Sequence, residues 1–172
     1  MDINVLEQIY KKYYKNIYNY IAFRINNHFD AEELANTVFE KAIASWERYN
    51  PAKPAEAWLI TIAKNTVTDY LRKQSHRNHA PLEEAEQVAT RDRQPDQVVL
   101  LDEQNRDLME AVAGLKPKER QVISLRFATD LSYTEIAHAM GITGAHARLI
   151  AHRALKKLRK MLEEVWHEEY VC

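Results

Sequence analysis

The chain has 172 residues, 46% hydrophobic and 28% charged, the balance of a globular protein with room for one ordinary domain or two small helical ones. Its 24 Lys and Arg against 25 Asp and Glu give a net charge of −1, so any nucleic-acid surface must be a local patch. Cys172, the single cysteine, excludes an internal disulfide, and no apolar run approaches the roughly 20 residues of a membrane span. The start, Met1-Asp2-Ile3-Asn4, has no basic segment leading into an apolar run, so no secretory signal and a cytoplasmic location are expected. All three glycines, Gly114, Gly141 and Gly144, lie in the last third, and the glycine pairs of tight hairpins are missing before them. An all-α fold is expected.

A first helix is expected over Ile3 to Asn26, with Leu6, Ile9, Tyr10, Tyr13, Ile17, Tyr20 and Ile21 at helical spacing. A second is expected from Asp30, with Glu33 as capping-box partner and Leu34, Val38, Ala42 and Trp46 as its inner stripe. The run Tyr49 to Pro54 reads as a loop, because each proline disfavours helix in the residue before it. A third helix is expected over Ala55 to Ser75, with Trp58, Ile62, Val67, Tyr70 and Leu71 at its apolar positions.

From Arg77 to Gln97 periodicity fails, and residues 77 to 101 hold three Lys/Arg against five Asp/Glu. This is the composition of an acidic, flexible linker, and about 20 extended residues reach about 66 Å. Helical pattern resumes near Val98 and continues through Leu108, Met109, Val112 and Leu115. Pro117 suits a first helical turn, and Val122, Ile123, Leu125 and Phe127 follow. The chain therefore divides into two small helical domains, 1–76 and 98–172, joined by a linker over 77–97.

The segment Ser132 to Leu158 has the pattern of a helix-turn-helix. Ser132 and Glu135 form a capping box, Ile136, Ala137 and Met140 face inward, and Gly141 supplies the turn. Ile142 plugs the corner and Thr143 caps the next helix, where Ala147, Ile150, Ala151, Ala154 and Leu158 share one face. The opposite face carries Ala145, Leu149, His152 and Lys156, flanked by Arg148 and Arg153. Residues 144 to 162 contain six Lys/Arg and no Asp/Glu, which suits a helix lying in a major groove between phosphates.

Here the chain resembles a known family, the extracytoplasmic-function (ECF) group of bacterial sigma-70-type sigma factors. Several stretches carry the resemblance: Asp30-Ala31-Glu32-Glu33-Leu34 with Val38-Phe39-Glu40-Lys41-Ala42; Ala57-Trp58-Leu59 with Ile62 to Thr66 and Asp69 to Arg72; Leu115 to Arg120; and Leu131 to Ala137. The resemblance implies that the first domain is sigma region 2, which binds core RNA polymerase and helps melt the −10 element. It implies that the second is sigma region 4, which reads the −35 element through its helix-turn-helix.

By resemblance, Asp30, Glu32, Glu33, Leu34, Asn36, Phe39 and Glu40 contact polymerase, with Phe39 offering apolar area. The −10 contacts would come from Trp58, Lys64, Asn65, Asp69, Arg72, Lys73 and Arg77. Cations on the backbone and stacking under bases are what an opened strand requires. The −35 set is Thr143, Ala145, His146, Arg148, Leu149, His152, Arg153 and Lys156. Two departures stand out. The loop Asn50 to Glu56 lacks the glycine and aromatic–arginine pattern common in the family. Leu149 and Ile150 stand where the family usually has serine and arginine, so the −35 sequence read is expected to differ from the commonest one.

Partners expected from the resemblance are core RNA polymerase, promoter DNA and an anti-sigma factor. A second reading is a helix-turn-helix regulator that recruits or blocks polymerase without replacing its sigma subunit. An enzyme is not expected: there is no Gly-rich phosphate loop, HExxH or internal cysteine nucleophile, and the seven histidines are scattered. No metal, cofactor, small-molecule substrate or membrane insertion is expected.

Overall fold

The computed structural model describes residues 3–78 and 103–169, with side-chain surroundings over 4–76 and 106–165. Seven α-helices appear among them, and no strand: α1 (Ile3–Ile25), α2 (His28–Ala44), α3 (Ala55–Asn78), α4 (Glu103–Ala113), α5 (Pro117–Ala128), α6 (Tyr133–Met140) and α7 (Gly144–Glu169). A short 3-10 turn, Trp46–Arg48, follows α2. The fold is all-α, as expected. The helix start expected near Val98 and nearly all of the expected linker lie outside the described residues.

The first three helices pack together around α1, whose Ile17, Tyr20, Ile21 and Ile25 are fully buried at helical spacing. The chain turns sharply after α1 through Asn26, which has a φ of 50°. Asn27, rather than Asp30, caps α2. Its side chain accepts from the backbone N–H of Phe29 (3.1 Å) and Asp30 (3.2 Å) and donates to Asp30 Oδ2 (2.9 Å). Asp30 therefore lies inside the first turn, where a carboxylate also meets the positive end of the helix dipole. The inner stripe of α2 is shorter than its apolar pattern suggested, since the helix ends at Ala44. Trp46 instead stands edge-on to Trp58 of α3, their centroids 6.0 Å apart. Aromatic packing between the α2 end and α3 thus overrides simple continuation of the period. α3 continues three residues past Ser75.

In the second half, α4, α5 and α6 all pack on α7. Arg120 is the pivot of this packing, at 0% exposure. Its Nε donates to Val112 O (3.3 Å), and its Nη2 donates to Leu115 O (3.1 Å) and to Ala113 O. One guanidinium thus satisfies carbonyls at and just beyond the end of α4, sharing Val112 O with the Leu115 N–H (3.1 Å). Glu119, in the first turn of α5, accepts from the Lys116 backbone N–H (3.2 Å) and from Lys157 Nζ on α7 (2.6 Å). Phe127, expected along the apolar stripe of α5, is instead 59% exposed, in a last turn whose outer face no element among the described residues covers.

The two helical sets do not stand apart. α1 packs along α5 and touches α4, while α3 meets α6. Leu125, Ala128, Leu131 and Ile136 belong to the same apolar core as Ile17 and Ile21. Two polar ties reinforce the join. Buried Glu56 accepts from Asn16 Nδ2 (2.8 Å) and from the Asp130 backbone N–H (3.2 Å) through one carboxylate oxygen. Lys64 Nζ donates to Ala139 O at the end of α6 (2.8 Å).

Candidate nucleic-acid interface

The connection between α6 and α7 is built as its residues require. Ser132 accepts from the Glu135 N–H (3.3 Å), and Glu135 takes the Ser132 backbone N–H (2.8 Å) and hydroxyl (2.7 Å). Those two donors hold the Glu135 carboxyl below its ordinary pKa, the hydroxyl contributing most. At the other end Gly141 adopts φ 67°, a left-handed conformation open to glycine without strain, and the Ile142 N–H closes back on Ala137 O (3.0 Å). Thr143 Oγ1 caps α7 by accepting from the His146 N–H (3.2 Å). Ile142 packs with Tyr133 and Met140 against Val122, Ile150 and Ala151. The corner is therefore wedged apart by side chains, and α7 is held at a fixed angle to α6.

With Ile150, Ala151 and Ala154 buried, the opposite side of α7 faces solvent. Ala145, Arg148, Leu149, His152, Arg153 and Lys156 form one exposed stripe, with Thr143 and His146 at its start. Leu149 points outward at 44% exposure, whereas its neighbour Ile150 is core. The six cations of this segment separate into two groups. Lys157 pairs with Glu119 (2.6 Å), Arg159 with Glu163 (3.4 Å) and Lys160 with Glu164 (3.7 Å). Among the described ion pairs, Arg148, Arg153 and Lys156 have no carboxylate. The positive charge left for an anionic ligand is thus concentrated on the first half of α7, on the face selected by sequence.

Three of the residues expected at polymerase and three of those expected at the −10 element meet across one groove. A cleft of about 710 Å³ is lined by Asp30, Glu33 and Leu34 of α2 and by Asp69, Arg72 and Lys73 of α3, among others. Tyr70 donates to Asp30 Oδ2 (2.5 Å) and accepts from Gln74 Nε2 (2.6 Å), tying the two helices together beneath it. Glu32, Glu33, Asn36 and Glu40 are exposed on α2, and Leu34 is half-buried. Phe39 differs from expectation: it is 6% exposed, beneath Tyr10 (centroid 4.8 Å) and Tyr14 (5.9 Å), so the aromatic surface at that point belongs to α1. Helical spacing alone cannot show that a neighbouring helix covers a position.

On α3, Asn65, Asp69, Arg72 and Lys73 are exposed, and Asp69 pairs with Arg72 (3.6 Å). Lys64 is half-buried through its tie to Ala139, and the side chain of Arg77 lies outside the described set. Trp58 is half-buried and packs with Tyr49, whose centroid is 4.7 Å away. Tyr49, itself 5.2 Å from Trp46, completes a three-ring cluster that sequence reasoning did not assemble. Its signal was the density of aromatics around the proline loop. Among the described residues no group of three or more His, Cys, Asp or Glu is arranged to hold a metal, and no helix is long and apolar enough to cross a membrane.

Fold and surface together define an all-helical, two-part protein of the helix-turn-helix DNA-binding class. Residues 9–77 match the family model for sigma-70 region 2, and residues 111–160 match that for sigma-70 region 4. The chain belongs to the sigma-70 family of RNA polymerase sigma factors, and several of the relatives it matches are named ECF sigma factors. It is 31% identical over 163 residues to the RNA polymerase sigma factor CarQ of Myxococcus xanthus, covering 94% of this chain and 91% of that one. It is 29% identical over 168 residues to the RNA polymerase sigma factor YlaC of Bacillus subtilis, covering 96% of each. Identity to the ECF sigma factor BldN of Streptomyces coelicolor is 28% over 158 residues, 91% of this chain and 60% of that relative. The sigma factor RpoE of Bartonella quintana, solved with the anti-sigma factor NepR, shares the fold at a TM-score of 0.74, with 21% identity over 94% of this chain and 98% of that one.

Proposed function

We propose that the chain acts as the promoter-specificity subunit of RNA polymerase, binding the core enzyme and directing initiation by reading −35 and −10 elements. One observation carries the DNA half of this reading: the α7 cations that meet no carboxylate among the described ion pairs coincide with the exposed stripe of a wedged helix-turn-helix. Arg148, Arg153 and Lys156 hold phosphates at −35, while Ala145, Leu149 and His152 face base edges, with Thr143 and His146 at the entry of the helix. Leu149 offers an apolar contact to a thymine methyl where the family usually presents a serine hydroxyl.

In the region 2 unit, Asp30, Glu32, Glu33, Leu34, Asn36 and Glu40 form the polymerase contact, with Tyr10 and Tyr14 supplying the apolar area over Phe39. Trp58, Lys64, Asn65, Asp69, Arg72, Lys73 and Arg77 form the −10 contact. The activity is non-enzymatic, takes place in the cytoplasm, and involves no cofactor or small-molecule substrate. An anti-sigma factor is a further partner by analogy with RpoE of Bartonella quintana, solved with the anti-sigma factor NepR.

Competition tests this reading against that of a regulator. A sigma subunit displaces the housekeeping sigma subunit from core polymerase in a one-to-one exchange, whereas a regulator co-binds with it. Co-purification of all three components would refute the sigma assignment. On the DNA side, replacing Arg148 and Arg153 together by Ala removes two phosphate contacts, and the slope of log K against log salt falls by about 1.8. An unchanged slope contradicts their role.

A further inference from the structure

We infer that Tyr70 is a positioning residue for polymerase binding, holding the Asp30 carboxylate of α2 from α3. The inference rests on the reading of the α2 face as the polymerase contact. It adds to that face a residue of another helix that acts through Asp30 and belongs to neither the polymerase set nor the −10 set.

Tyr70 lines the cleft between α2 and α3 and is half-buried, its ring packed against the apolar core that the first three helices share. Its hydroxyl donates to Asp30 Oδ2 (2.5 Å), 40 positions earlier in the chain, and accepts from Gln74 Nε2 (2.6 Å), one turn further along α3. A phenol has one proton to give. With Gln74 donating to its oxygen, that proton is left for Asp30. Asn27, the cap of α2, donates to the same carboxylate oxygen (2.9 Å) and accepts from the Asp30 N–H (3.2 Å). Asp30 is thus gripped from two directions, by the cap of its own helix and by a residue of α3. Among the described hydrogen bonds both donors go to Oδ2 and none to Oδ1, so Oδ1 is the oxygen presented to a polymerase donor.

The kind of side chain matters. Another bridge across the cleft joins Lys41 Nζ to Thr66 Oγ1 (3.1 Å), but a lysine reaches its partner through a flexible four-carbon stem and follows it as the helices shift. Tyrosine has two side-chain torsions and a rigid ring, so it fixes where its hydroxyl stands. A bond from a neutral hydroxyl to an ionised carboxylate is also short and strong. The result is a carboxylate ordered before polymerase arrives, flanked in the cleft by Glu33 and Leu34 of the same polymerase set. Ordering in advance removes the freedom that binding would otherwise take away, and affinity rises by that amount.

The test uses the full chain, labelled with a fluorophore at Cys172, and core RNA polymerase freed of other sigma subunits. Tyr70→Phe keeps the ring and removes the donor. It weakens core binding about two- to tenfold, the scale of leaving one side chain to be ordered on binding. Asp30→Ala weakens core binding, and in that background Tyr70→Phe has no further effect. In a Glu40→Lys background, whose charge reversal lies about 15 Å further along α2 by helical rise, Tyr70→Phe keeps its full effect. A merely structural role of Tyr70 would add to both.

If Glu40→Lys weakens core binding while Tyr70→Phe or Asp30→Ala does not, the inference is overturned and the reading of α2 stands. An equal loss from Tyr70→Phe with and without Asp30 removes the positioning role in the same way. If neither Glu40→Lys nor Asp30→Ala weakens binding, the reading of α2 itself fails. Asp30→Ser takes the place of Asp30→Ala in the cycle where the alanine variant does not fold.

Discussion

Replacing Arg120 by Met probes what holds the second helical half together, because methionine keeps much of the volume and removes every donor. The guanidinium is fully buried and donates to Val112 O, Ala113 O and Leu115 O. Val112 O retains a second donor, the Leu115 N–H at 3.1 Å, so the variant leaves chiefly the Ala113 and Leu115 carbonyls without their guanidinium partner. A buried carbonyl left unsatisfied costs about 1–3 kcal/mol, and the partly buried Ala113 O counts for less, so the two together cost about 2–5 kcal/mol. Removing the arginine also ends the desolvation of its charge, which returns part of that loss. The net expectation is a destabilisation of about 2–4 kcal/mol. Urea unfolding followed by far-ultraviolet circular dichroism measures it, with the midpoint falling while the slope is unchanged. A loss below about 1 kcal/mol would show that the guanidinium is not what satisfies the end of α4.

Other expectations follow from the same geometry. Glu135 titrates below its ordinary value near 4.5 because the Ser132 hydroxyl and backbone N–H both donate to it. A carboxyl with a depressed folded pKa adds stability above its unfolded pKa and loses it as pH falls through the folded one. The drop in urea midpoint between pH 6 and pH 3 is therefore smaller in Glu135→Gln than in the parent chain, and an equal drop contradicts the assigned bonds. Gly141→Ala, at φ 67°, costs about 1–2 kcal/mol although no atom lies within 4 Å of the added methyl. By contrast, the methyl of Gly114→Ala meets the flexible end of Met161 and stays within about 0.5 kcal/mol; thermal unfolding that ranks the two in the opposite order refutes the strain argument. Leu149→Ser, at an exposed position on the recognition stripe, changes the −35 sequence enriched in a binding selection without altering stability. The same enriched sequence from both chains contradicts a base-reading role for Leu149.

The helix-turn-helix was legible in the sequence because each of its devices is local. A capping box, a left-handed glycine and a threonine cap act within four residues, and they stand where the pattern placed them. The face of α7 was equally legible, since a period of 3.6 separates Leu149 from Ile150 without reference to any neighbour. The features missed are tertiary. Phe39 looked outward until Tyr10 and Tyr14 of another helix covered it. Trp46 looked like the continuation of α2 until Tyr49 and Trp58 drew it into a ring cluster. The division of basic residues into paired and unpaired depends on acids as distant as Glu119, 38 positions before Lys157. The approach of Arg126 to the Tyr133 ring is tertiary as well, since the two residues lie on different helices. The direct packing of α1 on α5 was likewise invisible, because the acidic run between the halves suggested reach rather than contact.

The central claim is that this chain gives polymerase its promoter choice, and reconstituted transcription tests it most directly. Core RNA polymerase freed of other sigma subunits is combined with the chain on double-stranded genomic promoter fragments, and transcript starts are mapped. The account predicts discrete starts that require the chain and are lost with Arg148→Ala/Arg153→Ala. Binding to DNA with no start from any fragment, or starts unaffected by that double substitution, would contradict it.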